Sequence, residues 1–589
     1  LPRDPVTKEP LKDKVTVVQA MKAAVEALDA GSLADQPLVE ARVRDTIGAT
    51  FMGLGRFDEA EPNLRSALAI RTRVLPAGDL EIASSQNNLA VLLEDQNKLA
   101  EAEALHRAAL EIARSSLPPG HPDLGVGLNN LAESLSIQGQ LADAEPLYRE
   151  ALAIARAALP AGHPDIAERL DNLAKLLQAQ RRLTEAEPLQ REALAIRVAA
   201  FPAGHPQVAR GLNNLAFLLV AQGELTEAEP MLREALEIRQ KSLPAGHVDI
   251  ASSLDNLAGL LQRQGKLAEA ESMLREAIEL RRTTLPAGHL HRAQGLTNLG
   301  TLLVSQNKLE EAEPLYREAL QIRRDSLPAG HPEIASSLNN LAVLHWRQGR
   351  LDLSIPMFEQ ALELEAAALG RQHPQTAGTL ANLGVNYADA GRLAEALPLL
   401  EEAFATSRQE PTLAWVGPRL LDACARSADA EKPESVTRYL ALLRELLPIA
   451  RTEVPPESVD LATMLAAQCI VLLRVRAWDW AEQLGREALA IREAKEPDDW
   501  RTFNMRSVLG GALLGQRKLK ESAPLLLGGY GGMKEREASI PPQGLVRLCE
   551  ALERLVQLHE AQGEAEEAAA WRRELDAARA RLPAAPSGR

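Results

Sequence analysis

Two kinds of side chain recur in this sequence at a spacing that could support chemistry. Asn88, Asn130, Asn172, Asn214, Asn256, Asn298, Asn340 and Asn382 stand 42 residues apart, each followed by Leu and then Ala or Gly. His121, His163, His205, His247, His289, His331 and His373 keep the same period, with Asp79 in the equivalent place one unit earlier. A carboxamide offers a donor and an acceptor, as a peptide backbone does, and imidazole is a common metal ligand. Three cysteines, Cys424, Cys469 and Cys549, lie far apart with neither metal-ligand spacing nor a nucleophile signature, so no disulfide framework is expected and a reducing compartment fits. The chain has no GxxxxGK[ST] loop, no HExxH and no set of kinase motifs. GGYGG at 528–532 lacks a preceding strand and is expected to be a helix break or packing site. These observations predict no catalytic residue and no cofactor.

The elements that position these residues follow from the repeat itself. In the unit at 249–289, Ile250, Leu254, Leu257, Ala258 and Leu261 have helical spacing, Gly265 interrupts, and Leu267, Ala270, Leu274, Ala277 and Ile278 form a second stripe. Each unit is therefore a helix-turn-helix hairpin. Ala258 and Ala270 let the helices approach, while Leu254, Leu261 and Leu274 fill the layers. The LPAGH stretch ends the second helix at Pro286 and turns at Gly288. Thr184 with Glu187, and Thr226 with Glu229, have capping-box spacing at the second helix, with Pro188 and Pro230 following. Pro122 and Pro164 mark first-helix starts. Helix axes pack about 8 to 10 Å apart, so equivalent loops of successive hairpins lie roughly twice that far apart, whereas zinc needs ligands about 2 Å away. The histidines are expected to be turn or helix-start devices, and no metal site is expected.

Composition agrees with an array of helices. Apolar residues make up 46% of the 589 but aromatic ones only 3%, so Leu, Ala, Ile and Val must fill the cores. A net charge of -15 argues against nucleic acid as a partner. No apolar run reaches 18 residues and the N-terminus is polar, which predicts no membrane span, no signal peptide and a cytoplasmic location. A first residue of Leu rather than Met is expected of a processed or excised chain.

The hairpin resembles the tetratricopeptide repeat, in the 42-residue variety of kinesin light chains and their bacterial relatives. Leu257, Ala258, Leu261, Gly265, Ala270, Leu274 and Ala277 meet the family pattern, as do Leu299, Gly300, Leu303, Asn307, Ala312, Leu315 and Ala319 one period later. A divergent first unit carries Gly48, Gly55, Ala60, Leu64 and Ala67. The resemblance implies an all-α, right-handed superhelical solenoid of about 12 or 13 hairpins, first helices lining the concave face. Its expected organisation is a linker and capping helix at 1–35, the regular array at 36–407, an irregular helical region at 408–460, degenerate hairpins and a cap at 461–580, and a disordered tail at 581–589. Segments 33–62 and 525–575 resemble the tetratricopeptide tails of large bacterial serine/threonine kinases, which would make residues 1–32 a junction to an upstream domain.

Asparagines matching the ladder hold the backbone of an extended peptide in kinesin-light-chain-like domains; a ladder that bonds between adjacent hairpins is the alternative. Three residues after each Asn the sequence varies, through Val91, Glu133, Lys175, Phe217, Gly259, Thr301, Val343 and Val385. Specificity is expected from such inner positions: Arg210, Asn213, Phe217 and Val220, with Glu168, Asp171 and Lys175 before them and Val304, Val343, Trp346 and Arg347 after. Phe217 and Trp346 are either peptide anchors or packing residues. The expected function is a protein- or peptide-binding scaffold, with a kinase's regulatory or substrate-recruiting tail as one alternative and a groove filled by residues 1–32 as another. The sequence sets no oligomeric state.

Overall fold

In the computed structural model, residues 16–408 and 410–582 are described. They form 27 α-helices and three short 3₁₀ turns, with no strand among the described residues. The chain divides into two compact units, 1–370 and 371–589. The 42-residue phase runs on through that division. Residues 1–15 of the expected linker and capping helix at 1–35, and 583–589 of the expected tail, lie outside the described residues.

The first unit opens with α1 (Val17–Asp29), then eight hairpins follow: α2 (Pro37–Gly53) with α3 (Phe57–Val74), α4 (Leu80–Asp95) with α5 (Leu99–Ser116), α6 (Pro122–Ile137) with α7 (Leu141–Ala158), α8 (Pro164–Ala179) with α9 (Leu183–Ala200), α10 (Pro206–Gln222) with α11 (Leu225–Ser242), α12 (Val248–Arg263) with α13 (Leu267–Thr284), α14 (Leu290–Ser305) with α15 (Leu309–Ser326), and α16 (Pro332–Arg347) with α17 (Leu351–Leu369). The second unit has five: α18 (Pro374–Asp389) with α19 (Leu393–Ser407), α20 (Val416–Ser427) with α21 (Pro433–Glu453), α22 (Val459–Arg474) with α23 (Trp478–Lys495), α24 (Trp500–Gly515) with α25 (Leu519–Glu535), and α26 (Val546–Gln562) with α27 (Ala565–Arg579). None of these helices is long and apolar enough to cross a membrane.

The small and large residues of the repeat do what their sizes dictate. Ala258 and Ala270 are buried where α12 meets α13, and Leu254, Leu257, Leu261 and Leu274 fill the space around them. The turn between helices needs one left-handed residue, supplied by Gly139, Gly223, Gly265 and Gly349, and by Asn97, Arg181 and Asn307 in the same register. Each repeated histidine is the N-cap of a first helix. In all seven, Nδ1 accepts a hydrogen bond from the backbone N–H two residues on, at 3.2 Å. Asp79 does the same with a carboxylate oxygen, at 2.8 Å.

One expectation of local structure is corrected and another is narrowed. Thr184 and Thr226 are not caps: α9 and α11 start one residue earlier, after Arg182 and Glu224, with no side-chain cap bond. Glu187 and Glu229 reach outward to the next hairpin instead, as described below. Pro188 and Pro230 accordingly sit at the sixth helical position, inside the helix. GGYGG is no break either. It lies within α25, where Gly529 and Gly532 let α24 approach so closely that a Cβ at either would collide with Ser507 or the Phe503 ring. The packing half of that expectation holds.

Candidate peptide-binding face

Within the first unit, α4 touches both α2 and α6, and α14 touches both α12 and α16, whereas successive second helices come no closer than weak contact. First helices thus form the tighter row at these steps. The repeated asparagines lie along it, half-buried except for the exposed Asn88. The variable positions one turn on are open: Val91, Glu133, Lys175, Phe217, Gly259 and Thr301 are all exposed in the first unit, and Val343 is half-buried.

The asparagines are not equivalent, and at Asn172, Asn214 and Asn256 the difference lies in the residue 43 positions earlier, on the preceding first helix. Asn172 Nδ2 donates to Asn129 Oδ1 of the preceding hairpin at 2.8 Å, and Asn256 Nδ2 donates to Asn213 Oδ1 at 2.9 Å. Both bonds span 43 residues and tie neighbouring first helices together. The expected ligand contact Asn213 is therefore an acceptor within the stack. At Asn214 the corresponding acceptor would be Asp171, but both Asp171 oxygens accept from Arg197, at 2.5 and 3.3 Å. Asn214 Nδ2 is left screened from solvent with no partner.

Arg197 belongs to a second ladder. Arg71, Arg197, Arg239, Arg281 and Arg323 recur in phase on the second helices and are all buried, while Ala113 and Ala155 take their places in two hairpins. Arg71 pairs with Asp45 and Arg281 with Asp255, each carboxylate 26 residues before its arginine. Arg239 has Asn213 there and donates to Ser253 Oγ at 2.5 Å instead. That leaves Asn213 free for Asn256.

Around Asn214 the face carries charge and one ring. Phe217 is 45% exposed, and Arg210 stands 3.7 Å from Glu168 on α8. Lys175 is exposed nearby in sequence register, and Gly259 on α12 leaves open space. Further toward α4, protein mass and Glu94 raise the carboxyls of Asp95, to about 6, and of Glu133, although both keep surface in contact with solvent. Trp346 is half-buried near the end of α16, and Val304 is buried with its carbonyl accepting from Arg347 at 3.4 Å.

Seven tetratricopeptide repeat matches tile the chain, at residues 40–115, 81–157, 123–197, 165–241, 207–283, 249–325 and 333–409, and a second model of the same repeat matches 297–368. The chain belongs to the tetratricopeptide repeat family. No curated protein matches it. Among solved structures, it is similar to a Podosopora anserina protein described as a kinesin light chain of nearly identical TPR-like repeats, at 24% identity over 35% of this chain and 97% of that one, with a TM-score of 0.31. BtubC (BKLC) from P. vanneervenii aligns at 25% identity over 39% and 91%, with a TM-score of 0.34. A Rap protein complexed with competence and sporulation factor aligns at 15% identity over 64% and 99%, with a TM-score of 0.40.

One recurring tetratricopeptide feature of this chain escaped sequence reasoning. Glu145, Glu187, Glu229 and Glu271 each hold the inter-helix turn of the following hairpin. Glu229 accepts from Gln264 at 3.0 Å and Lys266 at 2.9 Å, and also from Arg233 on its own helix. Glu187 accepts from Gln222 at 3.0 Å, and Glu145 from Gln180 and Arg182. Lys266 chiefly holds the Glu229 carboxyl down at about 2, as Lys308 does for Glu271. The 42-residue phase of Glu with Gln 35 residues later was the available signal. The cysteines are buried, which pushes the Cys424 thiol up to about 11 and Cys469 to about 12. No group of three metal-ligating side chains comes together among the described residues.

Proposed function

We propose that this chain is a protein-binding scaffold whose first-helix face takes an extended peptide, centred on α10. Asn214 carries the reading. It keeps a carboxamide where no neighbour satisfies its N–H, a cost of about 1 to 3 kcal/mol for a buried donor. The χ2 torsion of Asn is soft, so a small turn offers that amide to a peptide carbonyl. Phe217, one turn along α10, supplies an exposed ring as anchor. Arg210, Glu168 and Lys175 set the charge pattern that selects side chains. Asn172, Asn213 and Asn256 hold the stack in register beneath.

The test begins with a peptide selected from a displayed random library on the whole chain. Phe217→Ala and Asn214→Ala should each weaken its binding at least tenfold, with thermal unfolding unchanged. Selected peptides that bind both variants as tightly as the parent would reject the site. The resemblance of 33–62 and 525–575 to bacterial kinase tails supports a narrower version, in which this face recruits a kinase's substrates. A kinase signature in the reading frame upstream of Leu1 would support it, and a frame without one would not.

A further inference from the structure

Outside the first-helix face, the second unit contains an apolar crevice of about 540 Å³ between α19, α20, α21 and α22. Its walls are Phe404, Leu421, Leu446, Met464 and Val471, and the exposed Ile449 stands at its mouth. It lies where the repeat lapses. In every regular step of the first unit, a second helix packs directly on the next first helix. Here α21 and α22 stay apart, bridged by Tyr439 donating to Gln468 at 2.8 Å. Two helices thus present apolar flanks across a gap that neither closes.

We propose that this crevice docks an amphipathic helix of a partner protein, with basic residues flanking its apolar stripe. A gap between two helix flanks accepts anchors spaced i, i+3 and i+7. Charge selects the partner. The lining carries Asp422, Glu445 and Glu453 against Arg408 alone. Arg408 neutralises Glu445 at 2.9 Å, and Arg426 reaches Asp422 at 3.8 Å. Glu453 has no ion pair among the described residues and remains to meet a cation. Ile449 is 55% exposed, an apolar surface that docking would cover.

The probe is a labelled 18-residue helical peptide with Leu at the anchor positions and Arg flanks, titrated by fluorescence anisotropy into the full chain. Controls are the same peptide with Glu flanks and a scrambled one. Binding of the Arg-flanked peptide should fall at least tenfold in Ile449→Glu and severalfold in Glu453→Lys, and remain unchanged in Phe217→Ala. The Glu-flanked and scrambled peptides should bind at least tenfold more weakly. Equal binding of all three, or indifference to Ile449→Glu in a chain with unchanged circular dichroism, overturns the proposal. So does loss of binding in Phe217→Ala, which assigns the peptide to the first-helix face. A dimer in sedimentation that Ile449→Glu dissociates gives the crevice to a second copy of this chain, and also overturns it.

Discussion

Two adjacent hairpins of the first unit solve one packing problem differently. In α6–α7, Asn129 stands ahead of the repeated Asn and the second helix offers only Ala155; in α8–α9 the same two places hold Asp171 and the buried Arg197. The first arrangement leaves Asn129 free to accept from Asn172, and the stack closes with a neutral hydrogen bond. The second turns its carboxylate to Arg197 and gains a buried ion pair, while Asn214 Nδ2 has no partner. Identical asparagines in identical register therefore have different hydrogen-bond surroundings.

The comparison breaks most visibly at its ion pair. Asp171→Ala strands a buried guanidinium and should lower stability by about 3 to 5 kcal/mol in urea unfolding. Adding Arg197→Ala to Asp171→Asn copies the α6–α7 arrangement. That double variant should unfold at higher urea than Asp171→Ala alone, and a lower midpoint would show that Arg197 does not depend on its pair. Next come the ladder bonds. Asn172→Ala and Asn256→Ala each orphan an acceptor and should cost about 1 to 2 kcal/mol, whereas Asn214→Ala should leave the urea midpoint unchanged or raise it.

Acid should dissect the scaffold in two stages. Burial holds the imidazoles of His289, His331 and His373 below their ordinary value, and each caps its helix through an unprotonated Nδ1. The unfolded chain takes up protons first, so this stabilisation is complete above the ordinary histidine range and is lost as pH falls through it. Partners hold Glu229, Glu271 and Glu482 near 2, so their contribution is complete above 4.5 and fades between there and 2. Thermal scans from pH 8 to 2 should show both losses. His331→Asn, which keeps a capping acceptor without titrating, should blunt only the first. The smallest effect belongs to Glu229→Gln, below about 1 kcal/mol, because the carboxylate is one of several parallel contacts and lies near solvent.

The hairpins, their phase and their Ala and Leu cores were legible because all are local: one 42-residue unit contains both helices and the residues between them. The helix-start role of the histidines was legible for the same reason. Asn214 and Asn256 looked alike because their distinction depends on the residues 43 positions before them, Asp171 and Asn213, and on the arginine of another helix that faces the first of these. Glu187 and Glu229 were misassigned through a local spacing, although their partners sit 35 to 37 residues downstream. Whether Phe217 packs or stands open depends on the neighbouring hairpins, so its 45% exposure was not legible in the chain. The crevice at α21 left no positive signal in the chain beyond the lapse of the repeat.

The central claim is that the ladder has separable structural and binding members. Measuring urea unfolding and selected-peptide affinity side by side for Asn214→Ala and Asn256→Ala tests it most directly. The account predicts a crossed result: Asn214→Ala loses at least tenfold in affinity at unchanged stability, and Asn256→Ala loses stability while affinity changes less than threefold in the folded chain. Parallel losses in both variants would contradict it.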